Sequence, residues 1–196
     1  LRDLSHTFEP GTVTVLMGPN GSGKTTLLRL LSVVAYPTAG TVRYGELDIH
    51  AHPYRYLRRV GLVHAEAALP EHLTGVELLT WVVREREGID ANPGRIGALL
   101  DALGLDERRD KLIGTYSSGM AKKVQVAAAF VAHPSIVLMD EPFRSLDTAS
   151  TEATLGLLRD FRARGGCAIV ATHRDSVVQS ITDDTLEMRA EAPSVA

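Results

Sequence analysis

Nine residues, Gly18 to Thr26 (GPNGSGKTT), have the types and spacing to hold phosphate. Gly18, Gly23, Lys24 and Thr25 fill every constrained position of the pattern G-x-x-x-x-G-K-[ST]. A loop of this kind turns backbone N–H groups inward, and the helix after it adds its positive end, so phosphate oxygens meet donors without a side chain for each. Gly18, Pro19, Asn20, Gly21, Ser22, Gly23, Lys24, Thr25 and Thr26 are therefore the candidate phosphate-binding residues. Lys24 is expected to reach the outer phosphates and the Thr25 hydroxyl to ligate Mg²⁺. The plain alternative is a glycine turn between a core strand and a core helix. A second group is Met139-Asp140-Glu141, two acids at the end of an apolar run. There Asp140 can hold Mg²⁺ through water and Glu141 can orient or deprotonate an attacking water. His173, in the segment ATHRD, is expected at the same edge, in contact with the γ-phosphate or the water. Tyr116-Ser117-Ser118-Gly119-Met120, just before a helical stretch bearing Lys122 and Lys123, reads equally as an anion site or as an ordinary helix cap.

These groups need elements to carry them. Thr12 to Met17 (TVTVLM) predicts a buried strand before the glycine loop, and Thr25 onward an apolar helix that ends near Tyr36-Pro37. Leu1 to Phe8 predicts a first strand, Thr41 to Tyr44 one side of a hairpin, and Arg58 to Val63 a further strand. Leu69 to Arg86 has helical spacing, with Trp81 half buried and the run Arg84 to Glu87 solvated. Short helices follow over Ile96 to Leu103 and Val124 to Ala132. Ile136 to Met139 and Ala168 to Ala171 are compact apolar runs without alternation, as expected of parallel strands covered on both faces, and Thr151 to Ala163 is the helix between them. The fold class is thus α/β. Residues 68–130 form a mostly helical lobe inserted in a core of about 1–67 and 131–190, with a disordered tail over 190–196.

Composition bounds the reading without deciding it. At 196 residues the chain suits one domain, and 44% hydrophobic with 23% charged residues is ordinary for a globular protein. A net charge of −3 gives no electrostatic case for a nucleic-acid partner. The single cysteine, Cys167, sits in an apolar run and reads as a buried thiol in a reducing compartment. His50, His52, His64 and His72 have no acid or cysteine at a metal-ligand spacing and read as surface residues. No eighteen-residue apolar window is present, and no secretory signal. The chain opens on Leu1 in mid-pattern, so first residues are expected to be missing.

Taken in order, these residues resemble the nucleotide-binding domain of ABC-type ATPases. Gly18 to Thr25 is similar to the Walker A motif, Tyr116 to Met120 to the signature motif, and Ile136 to Asp140 with Glu141 to Walker B and its catalytic glutamate. Ser145-Leu146-Asp147 is similar to the D-loop and His173 to the switch histidine. The resemblance implies a P-loop NTPase core with a mostly parallel sheet, an N-terminal antiparallel β portion and the helical lobe. It implies ATP and Mg²⁺ as cofactors, and a head-to-tail dimer, homo- or heterodimeric, with ATP held between the phosphate loop and the opposite signature helix. Ser117, Ser118, Gly119 and Asp147 would then serve the partner's ATP. The implied role is an ATP hydrolase, peripheral on the cytoplasmic face of the membrane, powering a permease on a separate chain docked beside Ala65 to His72. The compact length and the YSSGM form of the signature lean, by that resemblance, towards small exporter-type subunits.

Three positions depart from the family pattern. Ala65 stands where a glutamine is expected to touch Mg²⁺ and couple to the permease, with His64 and Glu66 as neighbours; Ser118 stands where glycine is usual; and the adenine-stacking aromatic lies upstream of Leu1. A soluble non-transport ABC ATPase, or a subunit that binds ATP but hydrolyses it weakly because of Ala65, are the alternatives.

Overall fold

The computed structural model describes residues 1–66, 68–88 and 91–189. In chain order the elements are β1 (Val13–Met17), α1 (Lys24–Leu31), β2 (Arg43–Tyr44), β3 (Leu47–Asp48), α2 (Pro53–Leu57), β4 (Val60–Val63), α3 (Gly75–Glu87), α4 (Pro93–Ala102), α5 (Ser118–Phe130), β5 (Ile136–Asp140), α6 (Thr148–Ala163), β6 (Cys167–Ala171), α7 (Asp175–Val178) and β7 (Asp184–Glu187), with one 3-10 turn at Ile113–Thr115. Five strands form a sheet in the order β4-β5-β6-β1-β7, with every pair parallel, and β2 and β3 make a separate antiparallel hairpin.

The unbroken apolar runs have the cause expected for them. Val13, Val15, Val137, Met139, Ala168 and Val170 bury one face of the sheet, which α5 and α6 cover. Leu16, Ile136, Leu138, Ile169 and Ala171 bury the other against Leu27, Leu28 and Leu31 of α1 and against Tyr56 of α2. A strand covered on both sides has no polar face to alternate with. The first core runs on without a break into the helices, through Leu79, Val83, Leu100 and Val124, so α3, α4 and α5 share one hydrophobic interior with the sheet. Helix ends are set by local chemistry. Thr74 and Glu77 exchange side-chain and backbone bonds (3.1 and 2.8 Å) as a capping box on α3, Asn92 with Pro93 opens α4, and Asp147 caps α6. Cys167 is buried, and burial pushes its thiol up to about 11, which suits packing rather than nucleophilic chemistry.

Several sequence expectations are corrected. Leu1 to Phe8 forms no strand; a strand exists only through ladder bonds, and no strand among the described residues pairs with it, so the antiparallel portion is the hairpin at residues 43–48. The helix after the phosphate loop stops at Leu31 rather than near Tyr36, because Val33 turns left-handed (φ 59°) and Val34 and Ala35 bond back to the Arg29 carbonyl. α3 begins only at Gly75. Trp81 is exposed, Arg86 is half-buried, and Glu87 holds Arg95 at 3.2 Å, so this run is only partly solvated. His50 is half-buried, its Nε2 donating to the Ala35 carbonyl at 3.1 Å. The tail at 190–196 lies outside the described residues.

α5 lies directly on β4, and Gly61 makes that approach possible. A Cβ on Gly61 would come within 2.9 Å of the Ala129 carbonyl carbon and closer still to its oxygen. Gly61→Ala should therefore cost about 1–3 kcal/mol through forced separation of helix and strand. The check is the denaturant midpoint, and an unchanged midpoint would mean that α5 can move away freely.

Candidate active site

Parallel strands present all their C-terminal ends at one edge, and that edge collects the chemistry. The loop Gly18 to Gly23 leaves the end of β1 and enters α1; Asp140 ends β5 and Glu141 follows it; Thr172 and His173 follow β6; His64 and Ala65 follow β4. Residues far apart in sequence therefore meet without any direct pairing between β1 and β5.

The loop itself is built by close approach. Gly18 has φ 146°, and a Cβ there would run into the Met188 carbonyl oxygen and lie 2.7 Å from Ser22 Oγ, so any larger residue would push the loop off β7. Pro19, Asn20, Gly21, Thr25 and Thr26 are exposed, whereas Ser22 and Lys24 are buried. Lys24 Nζ donates to the carbonyls of Gly18 (2.5 Å) and Pro19 (3.1 Å), which holds the ammonium over the loop. Thr25 Oγ1 donates to Asp140 Oδ2 at 3.0 Å. That single bond ties the phosphate-loop helix to the end of β5 and sets two hard oxygen donors side by side, a pairing suited to Mg²⁺.

Glu141 follows in a left-handed backbone conformation (φ 48°), its N–H fixed to the Ala171 carbonyl at 2.8 Å. A non-glycine residue held this way is strained and its side chain is aimed by the backbone. Glu141 Oε2 accepts from Thr172 Oγ1 at 3.3 Å, and Oε1 lies 3.8 Å from His173 Nε2, an ion pair when the imidazole is protonated. The expected neighbourhood of Glu141 and His173 is thus present, and Thr172 is an added partner that its sequence position did not signal.

Ser117, Ser118, Gly119 and Asp147 form a second group. Ser117 caps α5, its Oγ accepting from Met120 N–H at 3.2 Å, and both serines are exposed at the helix N-terminus. Gly119 packs against the Ser145 carbonyl. The Asp147 carboxyl is pulled down to about 2 by the Ser150 backbone N–H first, then by the Ser150 hydroxyl and the Lys123 ammonium 3.0 Å away. Among the described residues no hydrogen bond or ion pair joins this group to the Gly18 to Thr26 loop.

Lys122 was legible only as a cation near the start of a helix. It is buried, and its Nζ donates to the His64 carbonyl at 2.6 Å, Gln125 Oε1 at 3.2 Å and the Ala65 carbonyl at 3.4 Å. Burial lowers its pKa, opposed by the carboxylate of Asp140. The side chain of Ala65 supplies no ligand atom, and Glu66 Oε1 is turned to Arg144 at 4.0 Å.

A family model described as ABC transporter matches residues 1–144. The chain is 34% identical over 192 residues to the Fe(3+) ions import ATP-binding protein FbpC of Brucella abortus, covering 96% of this chain and 54% of that protein. It is 33% identical over 163 residues to the daunorubicin/doxorubicin resistance ATP-binding protein DrrA of Streptomyces peucetius, covering 83% and 49%. The chain therefore spans about half the length of these relatives. A solved ATP-binding subunit of an ABC transporter superposes with a TM-score of 0.90 at 25% identity, covering 98% of this chain and 82% of that one.

Proposed function

This chain belongs to the ABC transporter family, and from that premise we propose that it binds and hydrolyses ATP as the energy-supplying subunit of a membrane transporter. The observation that carries the reading is the Thr25 Oγ1 to Asp140 Oδ2 bond, which joins the phosphate loop to the acidic end of β5 at 3.0 Å. Gly18 to Thr26 cradle the phosphates through backbone N–H groups, and Lys24 exchanges the loop carbonyls for outer phosphate oxygens. Thr25 and, through water, Asp140 would hold Mg²⁺, which would supply charge neutralisation on the phosphates. Glu141, aimed by its backbone and by Thr172, takes the proton of the attacking water, and His173 contacts the γ-phosphate or that water.

The loop's own neighbours cover it on one side only. Asn20, Gly21, Thr25 and Thr26 face solvent, and two cavities, of about 270 and 780 Å³, lie elsewhere, at the N-terminal ends of β4, β5 and β6. A site so open fits a head-to-tail homodimer or heterodimer in which Ser117, Ser118, Gly119 and Asp147 of one copy close over the ATP of the other. Among the described residues no helix is long and apolar enough to cross a membrane, which fits a peripheral subunit on the cytoplasmic face working with a separate permease docked beside Ala65 to His72. Export is the direction we favour, on the YSSGM signature; relatives named for import and for drug resistance share the same framework.

The test is ATP hydrolysis by the purified protein with and without Mg²⁺, followed by identification of membrane proteins that co-purify with it. Mg²⁺-dependent release of phosphate is the expected result. ATP binding without any turnover would instead favour a binding-only subunit, for which Ala65 is the specific reason.

A further inference from the structure

A lysine ammonium is costly to bury unless every proton finds an acceptor, and an apolar residue often serves as well where packing is all that is needed. Lys122 is 6% exposed, and its three protons meet three oxygens, the carbonyls of His64 and Ala65 and Oε1 of Gln125. Two of these belong to the turn after β4, so the side chain bridges α5 to that turn. Both ends of the bridge lead to chemistry. One turn before Lys122, α5 begins at Ser118 with Ser117 as its cap. On the other side, β4 pairs in register with β5, Val63 opposite Met139, one residue before Asp140. At position 65 the methyl group can make no hydrogen bond, so the turn is held from the α5 side, through its main chain.

We propose that Lys122 is a positioning residue that locks the turn after β4 to α5, setting the end of α5 in register with the Thr25, Asp140 and Glu141 edge, in place of a link that Ala65 does not provide. This inference rests on the ATPase reading. Lys122 touches no phosphate in that reading, so its loss should leave ATP binding almost intact and impair the chemical step, where sub-ångström placement decides the rate.

The experiment compares the parent protein with Lys122→Met, which keeps the length and suits a buried place, and with Lys122→Gln, which keeps donors without the charge. Expected for Lys122→Met is a kcat lower by about tenfold or more with KM for ATP within about twofold, the split that marks lost transition-state positioning. Lys122→Gln should recover part of kcat, because its amide can still donate to the carbonyls. Parental kcat in Lys122→Met overturns the proposal, and so does a fall in kcat matched by an equal loss of ATP affinity. If Lys122→Met does not fold, Lys122→Gln is read by the same two criteria. Failure of the parent to hydrolyse ATP would overturn the functional reading instead, so the two failures are distinguishable.

Discussion

Lys24→Ala is expected to weaken ATP binding on the order of a hundredfold and to reduce hydrolysis to background, because one charge-assisted contact to phosphate in a partly desolvated site is worth about 2–5 kcal/mol. The geometry separates this from a folding defect. Among the described residues Lys24 Nζ bonds only to the carbonyls of Gly18 and Pro19 at the loop's own rim, and each neutral partner lost costs about 1 kcal/mol where water can replace it. The core on that side of the sheet draws on Leu27, Leu28 and Leu31 of the same helix, not on Lys24. The melting temperature should therefore move little while ATP titration, followed by calorimetry, shows the loss. A variant that bound ATP as tightly as the parent would show that the backbone cradle alone holds the phosphates, and Lys24 would lose its assigned role.

The phosphate loop was legible because its information is local: nine adjacent residues between an apolar strand and an apolar helix. The buried strands β5 and β6 were legible for a related reason, since parallel strands covered on both faces have no polar alternation to confuse them. β7 was not, because an edge strand reading Asp184-Thr185-Leu186-Glu187 has neither a run nor an alternation, and only pairing with β1 defines it. The eight-residue opening segment erred in the other direction: it has strand composition, but among the described residues no neighbour completes a ladder. Within the site, Asp140 and Glu141 could be placed by their position at a strand end, but the left-handed turn at Glu141 and its contact with Thr172 depend on β6 lying alongside. Lys122 was hidden most completely. On a helix a lysine next to another lysine reads as solvated, and its burial appears only once α5 is seen lying on β4, where Gly61 admits the helix and the turn after Val63 offers its carbonyls.

The second large effect falls on Glu141. Glu141→Gln preserves the size of the side chain, and the backbone that aims it is fixed independently by the N–H to the Ala171 carbonyl at 2.8 Å. One oxygen can still accept from Thr172 Oγ1, as Oε2 does at 3.3 Å in the parent. What is lost is basicity. An amide cannot take a proton from water, and removal of a positioned general base typically costs about 10²–10⁴ in rate. Binding should survive, because Gly18 to Thr26 are untouched and one negative charge has been removed from the neighbourhood of the phosphates. ATP that binds but is not consumed would keep two copies closed on each other, so the variant should run as a dimer on size exclusion with ATP and Mg²⁺ and as a monomer without nucleotide. Phosphate release and elution volume read the two effects separately. Turnover at the parental rate would remove Glu141 from the reaction, leaving His173 as the group to test. Slow turnover without a dimer would keep Glu141 as the base while denying that Ser117, Ser118 and Gly119 close over the partner's ATP, since the closed pair depends on that contact whereas the proton transfer does not.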